Sequence, residues 1–440
     1  MNKNLTKKLI FTLITAIIII NSVFINLYAE PVETIEEQPT DEIIKESYFL
    51  KSGNEQIPIY SNNVLLVEPK TDTIISEHNA YERAFPASLT KVLCALVALE
   101  SSKLTDTTIV SAPAVNAIPN GYTKAGFVAD EEVSMEVLLE GLLLRSANEA
   151  ANIIAEAISG SNEAFAEKMN ERAKEIGCKN THFVNGNGIH NEDHYTTAWD
   201  LYLITKECMK NEDFRRIVQM KEFTVPPSPQ HPENDRTFKN TNKLMLEGNK
   251  YYYEGTIGIK TGFTSEAKNC YIGAVSRNGF ELFVIIMGAP TVNKESQRYP
   301  DAIKLFDYGF ENYKITQLTK DNTLVKSVQI KNATKETKNL NLMLEKGFSG
   351  FVKNNFDTRS LTPEVKYTHD LVAPISAGTI IGTATYKIGN QEFTSNLVAQ
   401  SDVLEKSYYD YYILLGGISL LIIALIVLII IRIKSKKQEE

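Results

Sequence analysis

The sequence predicts an α+β fold followed by a small all-β module and a membrane-spanning helix, and three observations carry that prediction. Helical patterns dominate the stretch between residues 86 and 209. Three closely spaced strand patterns follow, at 256–260, 270–276 and 282–288, with Arg277-Asn-Gly279 as a tight-turn signal between the last two. After residue 315 the texture changes to short strands separated by turns, at 325–330, 340–344, 365–368, 380–388 and 392–398, with no long amphipathic helix among them.

The chain has 440 residues, enough for two or three domains. Its net charge of -8 is spread along the chain, and no basic patch points to nucleic acid. At the N-terminus Lys3, Lys7 and Lys8 precede an apolar stretch at 9–20, and Leu27-Tyr-Ala29 is a cleavage-site candidate. We expect a signal peptide at 1–29 that is cleaved after Ala29; an uncleaved anchor is the other reading, because Leu27 is not small. Residues 30–46 are acidic, contain Pro31 and Pro39, and read as a disordered linker. A catalytic domain is expected over 47–314, the β-rich domain over 315–402 and a linker over 403–412. Residues 413–431 carry no charge and are nearly all aliphatic, long enough to cross a hydrocarbon core of ~30 Å. Tyr408, Tyr409, Tyr411 and Tyr412 precede this stretch, and Arg432, Lys434, Lys436 and Lys437 follow it. A basic tail at 432–440 places that end in the cytoplasm and the rest of the exported chain outside.

Within the catalytic part, 64–68 and 73–77 read as short strands joined by a turn at Pro69-Lys-Thr-Asp72. Pro86 is expected to start a helix bearing Ser88, since first-turn N–H groups lack partners anyway. Helical patterns at 135–144 and 149–158 flank Ser146-Ala-Asn148; others cover 162–176, 199–209 and 302–313. Segments 179–195 and 226–232 read as loops, the second rich in proline.

Three short motifs carry the chemistry: Ser88-Leu-Thr-Lys91 at a helix start, Ser146-Ala-Asn148 between helices, and Lys260-Thr-Gly262 at the end of a strand. In this order they spell a serine–lysine acyl-transfer site. A serine hydroxyl needs a base and an oxyanion site to act as a nucleophile. On a helix, residues i and i+3 share a face, so Lys91 reaches Ser88. A positive helix N-terminus favours the neutral amine and an oxyanion near the Ser88 N–H. A lysine base also needs a lowered pKa, from burial or a neighbouring positive charge, and Lys260 is the candidate for that charge. Each motif alone is weak: Ser-x-x-Lys is common by chance, Ser-Ala-Asn is a possible helix cap, and Lys-Thr-Gly a possible turn. Their joint occurrence, in order and in fitting contexts, is what counts.

His190 and His194 lie in a non-helical loop with no third ligand in view, so no metal is expected; His78, His182, His231 and His369 form no constellation. Of Cys94, Cys178, Cys208 and Cys270, an exported chain can pair some, but Cys94 lies on an apolar helix face and Cys270 inside a strand pattern, and both are expected as buried free thiols.

Beyond the triplet, the chain resembles the low-molecular-mass penicillin-binding proteins that act as serine-type D-Ala-D-Ala carboxypeptidases (peptidase family S11). The resemblance spans residues 63–403. It rests on Phe85-Pro-Ala-Ser-Leu-Thr-Lys91, Leu143-Leu-Arg-Ser-Ala-Asn-Glu-Ala-Ala151, Thr181-His-Phe-Val-Asn185, His194-Tyr-Thr-Thr-Ala-Trp-Asp200 and Gly258-Ile-Lys-Thr-Gly-Phe-Thr-Ser-Glu-Ala267, with Ala373-Pro-Ile, Gly378 and Gly382 in the β-rich part. It implies a β-lactamase/transpeptidase-like catalytic domain without cofactor. Ser88 would form the acyl-enzyme, Lys91 would take its proton, and Ser146 would relay a proton to the leaving D-alanine. Asn148 would hold the substrate amide. Lys260, Thr261 and Arg298 would bind the terminal carboxylate, and the backbone N–H groups of Ser88 and Phe263 would form the oxyanion hole. The substrates would be peptidoglycan stem peptides, with β-lactam antibiotics as covalent inhibitors. Three departures stand out: Lys268 where glycine is usual, Asn187 where histidine is frequent, and a true span where an amphipathic helix is more usual.

Two other functions share the motifs. A β-lactamase needs a glutamate that activates water; Glu192 lies in the relevant loop without the surrounding pattern. A non-turnover β-lactam sensor would be expected to carry a signalling domain beyond the span, where only 432–440 stand. The β-rich domain is read mainly as a spacer.

Overall fold

The computed structural model describes residues 59–436 except 233–235. The signal peptide and acidic linker expected at 1–29 and 30–46 lie outside the described residues. Strands β1 (Asn63–Glu68) and β2 (Thr73–His78) form an antiparallel hairpin whose turn places Asp72 at a φ of 53°. A 3-10 turn, Ala87–Thr90, then leads into α1 (Lys91–Ser101), which is buried from Lys91 to Ala98. Its composition explains that place: after Lys91 the helix is apolar on every side, so it sits inside the domain.

Helix α2 (Met135–Glu140) is capped by the Ser134 hydroxyl and runs into a π-helical turn, Gly141–Arg145. The expected single helix over 135–144 therefore changes its winding halfway, and Ser146 ends it in the left-handed region at a φ of 66°. Helices α3 (Asn148–Ser159) and α4 (Asn162–Ile176) follow, α4 opened by a Ser161 cap and closed by Gly177. Next come α5 (Ala198–Cys208), capped by Thr197, and a short α6 (Glu212–Val218).

The meander is present as β3 (Thr256–Thr264), β4 (Lys268–Arg277) and β5 (Phe280–Ala289). With the first hairpin it makes one five-stranded antiparallel sheet in the order β2-β1-β5-β4-β3, so β3 is an edge. Helix α7 (Arg298–Asn312) covers one face, where Ala302, Leu305 and Phe306 pack with Val64, Leu66, Leu282 and Val284. Helix α5 lies against β1 and β5, and α1 packs against α4 and α5.

The β-rich module holds β6 (Tyr313–Thr319), β7 (Leu324–Gln329), β8 (Asn339–Leu344), β9 (Phe348–Lys353), β10 (Glu364–Tyr367), β11 (Ile380–Ile388) and β12 (Gln391–Ala399). Five of these form a sheet ordered β7-β8-β12-β11-β10, while β6 pairs with β9. The module has its own core, including Leu340, Leu342, Leu344, Ile381 and Leu397. It is also joined to the first sheet: Phe351 meets Phe280 edge-on at 5.1 Å and stacks on Tyr313 at 5.2 Å. Helix α8 (Tyr409–Lys436) ends the described chain; its stretch Tyr411–Ser435 has a mean hydropathy of 3.3 and is long enough to cross a membrane.

Candidate active site

The Ser88 turn sits between the edge of the sheet and the helical layer, and close backbone approach holds it there. On the sheet side is Gly262 of β3, where a Cβ would lie 3.2 Å from both the Ser88 nitrogen and the Pro86 carbonyl oxygen. On the loop side is Gly188, at a φ of +80°, where a Cβ would fall 2.0 Å from the Ala87 carbonyl oxygen. At Gly188 only glycine permits the approach, while at Gly262 a side chain would press on the turn by a few tenths of an ångström. Ala87 itself is left-handed, with a φ of 48°, so Ser88 belongs to a 3-10 turn rather than to the expected α-helix. The three-residue spacing still brings Lys91 Nζ to 2.9 Å from Ser88 Oγ.

A buried chain of hydrogen bonds braces the same turn from below. The Val184 N–H donates to His194 Nδ1 at 3.2 Å, which leaves the proton on Nε2 to face Thr90 Oγ1 at 2.8 Å. The Thr90 hydroxyl in turn donates to the Ala87 carbonyl at 2.8 Å. Burial pushes the His194 pKa down to about 3, so the ring is neutral. His194 is thus a structural histidine, and among the described residues no group of three or more candidate ligands could hold a metal. His190 lies edge-on to Phe85 and 3.4 Å from the exposed Glu192.

Lys91 is fully enclosed. Besides Ser88, its amine donates to Asn148 Oδ1 at 2.9 Å and to the backbone carbonyl of Asn187. Burial lowers its pKa to about 7, while the neighbouring Cys94 and Glu149 act in the opposite direction. The Asn148 amide nitrogen is held by the Thr123 carbonyl at 2.9 Å. Glu149, itself buried, takes the N–H groups of Ala125 and Gly126 and so fixes the loop that carries Thr123. Asn187 is anchored as well: its amide donates to Asn152 Oδ1 at 3.0 Å, and Asn152 donates to the Ala114 carbonyl.

Lys260 lies buried on β3 and donates to the Thr261 carbonyl at 2.9 Å. Burial, then the charges of Lys91 and Arg298, hold its pKa well below the usual lysine value. Desolvation, rather than the charge of Lys260, is therefore the main cause of the Lys91 shift. Thr261 shares a hydrogen bond with Thr241 at 2.8 Å. Arg298 starts α7 and donates to the carbonyls of Gly262 at 2.8 Å and Cys270 at 3.3 Å, so it ties the ends of β3 and β4 together. Phe263 is 60% exposed on the edge strand, beside Gly262. Ser146 is nearly buried between the π-helical turn and α3. All four cysteines are free thiols, with Cys94, Cys208 and Cys270 buried.

Sequence reasoning missed Asn152, Thr123, Thr241 and the Asn187 carbonyl. All four act through the backbone or through a polar residue of ordinary type, and only Gly186-Asn-Gly188 hinted at a tight loop.

Two family-wide sequence patterns match the chain. Peptidase family S11, D-alanyl-D-alanine carboxypeptidase, covers residues 51–291, and the C-terminal domain of penicillin-binding protein 5 covers 313–405. The D-alanyl-D-alanine carboxypeptidase DacF of Bacillus subtilis is 30% identical over 354 residues, spanning 79% of this chain and 86% of the relative. The D-alanyl-D-alanine carboxypeptidase of Streptomyces sp. strain K15 is 32% identical and spans 54% of this chain and 84% of its own. Among solved structures, penicillin-binding protein 5 of Haemophilus influenzae matches with a TM-score of 0.59 at 24% identity, over 80% of this chain and all of that one. The Streptomyces K15 DD-transpeptidase matches with a TM-score of 0.54 at 29% identity, over 59% of this chain and all of that one.

Proposed function

This chain belongs to the D-alanyl-D-alanine carboxypeptidase family of serine peptidases, and from that premise we propose how its residues perform the reaction. It is a serine-type D-Ala-D-Ala carboxypeptidase of cell wall metabolism, in a family that acts on peptidoglycan stem peptides and binds β-lactams. Ser88 is the nucleophile and Lys91 its base. The observation that carries this reading is the set of three partners around the Lys91 amine. Two of them, Asn148 Oδ1 and the Asn187 carbonyl, can only accept. A neutral amine has two hydrogens, which those acceptors take, so its lone pair faces the one partner that can donate, the Ser88 hydroxyl. A pKa of about 7 makes that neutral form available near neutral pH.

Ser88 Oγ attacks the carbonyl carbon of the penultimate D-alanine as its proton passes to Lys91. The developing oxyanion is met by the N–H groups of Ser88 and Phe263, which Gly262 allows to converge. Ser146 carries a proton to the amine of the departing D-alanine, and water then hydrolyses the ester. Asn148 has one amide hydrogen left after its bond to Thr123, and this holds the substrate amide. Lys260 and Thr261 line the place of the terminal carboxylate, with Arg298 supporting the strand ends and adding positive charge. A β-lactam forms the corresponding ester on Ser88, which hydrolyses slowly. The helix over Tyr411–Ser435 spans the cytoplasmic membrane with its basic end inside, and the catalytic domain works on pentapeptide stems at the outer face.

The test is D-alanine release by the full chain from a peptide ending in Lys-D-Ala-D-Ala, beside the Ser88→Ala variant. Release by the parent alone supports the assignment. Equal release by both would remove Ser88 from the reaction. Penicillin attachment to Ser88 without any D-alanine release would replace turnover by a sensor.

A further inference from the structure

The end of the β-rich module nearest the span carries an unassigned surface. Val403 to Lys406 do not hang free between module and helix. The Val403 N–H donates to the Ile375 carbonyl at 2.7 Å, and the Leu404 N–H to Thr337 Oγ1 at 3.1 Å. The Leu404 carbonyl accepts from the Thr334 N–H at 2.9 Å, Glu405 bridges to Ala333, and the Lys406 N–H donates to the Asn332 carbonyl at 2.7 Å. Helical bonding begins at the Tyr408 carbonyl, which accepts from the Tyr412 N–H at 3.0 Å. Only Ser407 and Tyr408 stand between the last pinned residue and α8.

That spacing sets a limit. Two residues of extended chain reach at most about 7 Å. Tyrosines flanking a span sit at the level of the lipid headgroups, and here they are Tyr408, Tyr409, Tyr411 and Tyr412. The hydrogen-bonded end of the module therefore lies within about 7 Å of the headgroup layer, however the helix tilts. This end is dressed accordingly. Leu404 is 58% exposed although it is a large aliphatic residue. Lys331, Lys335, Lys338 and Lys406 are exposed around it, with Glu336, Asp370, Asp402 and Glu405 as the neighbouring carboxylates.

We propose that residues 331–338 and 404–406 form a docking surface for the outer leaflet of the membrane, with Leu404 entering the headgroup layer and the lysines meeting lipid phosphates. The module is then a foot standing on the bilayer rather than a spacer on a swivel. The Phe351–Phe280 contact and a hydrogen bond from Asn390 to the Asp72 carbonyl at 3.1 Å pass that fixed posture to the catalytic domain. The inference rests on reading Tyr411–Ser435 as a membrane span.

The test uses the full chain in phosphatidylcholine–phosphatidylglycerol vesicles. Trp199 is the only tryptophan and lies in the catalytic domain, so Trp199→Phe provides a dark background and the parent provides the distal control. Leu404→Trp and Ile418→Trp are each placed in that background, with penicillin acylation confirming folding. Headgroup-spin-labelled lipid should quench the Leu404→Trp fluorophore at least twofold and leave Trp199 of the parent unchanged. Chain-brominated lipid should quench Ile418→Trp. Quenching of Ile418→Trp without quenching of Leu404→Trp would overturn the docking surface and leave the span standing. Absence of quenching in both would overturn the span and the docking surface together.

Discussion

Keeping a buried lysine neutral costs stability, and Lys91→Met measures that cost. Burial holds the Lys91 pKa at about 7 against an ordinary 10.5. Between these values the unfolded chain binds the proton and the folded chain does not, so stability rises with pH across the window. It falls back as pH drops through 10.5 toward 7, below which the full penalty is in force. One pKa unit is worth about 1.4 kcal/mol. Integrated from pH 7 to pH 9, with the folded site half protonated at the lower limit, this one group should add about 2 kcal/mol of stability. Methionine keeps an unbranched chain of similar size but binds no proton. It leaves Asn148 Oδ1 and the Asn187 carbonyl without the lysine donor, and neither group titrates, so that loss shifts stability by a constant. Lys260 is present in both proteins, and burial, the leading cause of its own downward shift, is unchanged by the substitution; only the smaller part that comes from the charge of Lys91 is lost in the variant. The assay is urea unfolding of the full chain in detergent at pH 7, 8 and 9, read by Trp199, which reports the catalytic domain alone. The parent should gain about 2 kcal/mol more than the variant over that range. Equal gains would refute the claim that the fold holds Lys91 neutral, and with it the account of how Ser88 is activated.

Other substitutions probe the surroundings. Gly188→Ala puts a methyl group 2.0 Å from the Ala87 carbonyl, so the Ser88 turn must move; penicillin acylation should slow at least tenfold and the thermal midpoint should fall by several degrees. Asn152→Leu strips the Asn187 amide of its partner, at about 1–3 kcal/mol for a buried unpaired group. Acylation by labelled penicillin should slow about tenfold, because the carbonyl that orients Lys91 is no longer anchored. His194→Gln should remove a fall in stability on acidification from pH 7 to pH 5. The buried neutral ring, held at about 3, loses ground there to an unfolded state that protonates near 6.5, by about 2 kcal/mol. Arg236→Met leaves Glu131, 1% exposed, without its cation and should cost about 3–5 kcal/mol in urea unfolding while the Ser88 chemistry persists.

The order of the three motifs was legible because each has a sequence cost that chance seldom meets three times. The meander was legible for a similar reason: period and turn residues agree at Arg277-Asn-Gly279. What stayed hidden lay where tertiary contact overrules local pattern. The apolar run after Ser88 has α-helical character, yet Ala87 is forced left-handed by β3 on one side and the Gly188 loop on the other, so a 3-10 turn precedes α1. Residues 135–144 have one helical pattern, yet from Gly141 to Arg145 the chain widens to a π-helical turn that presents Ser146. The strands Tyr313–Thr319 and Phe348–Lys353 pair only with each other across a long interval, and neither alternates strongly enough to stand out alone. Nor could residue type announce that the Asn187 carbonyl would hold the Lys91 amine, because every residue has one.

The site therefore has a division of labour that bears on which changes it can absorb. In the proposed reaction the residues that touch the reacting atoms are few and chemically obligatory. The groups that hold them are mostly backbone carbonyls and N–H groups, positioned by asparagines and by glycines that admit close approach. A backbone acceptor cannot be mutated away, but it can be displaced, and Asn187 depends on Asn152 for its place. Asn187 is paired to a second asparagine, Asn152, one helical turn beyond Asn148. The two belong together: Asn187→His alone would leave the Asn152 amide group facing a ring of different reach, and the penalty should shrink when Asn152 is made apolar at the same time. A double-mutant cycle on acylation rates separates this from independent effects. Coupling of opposite sign to the sum of the single losses is what a shared hydrogen bond requires, and strict additivity would mean that Asn152 braces the fold without speaking to Lys91.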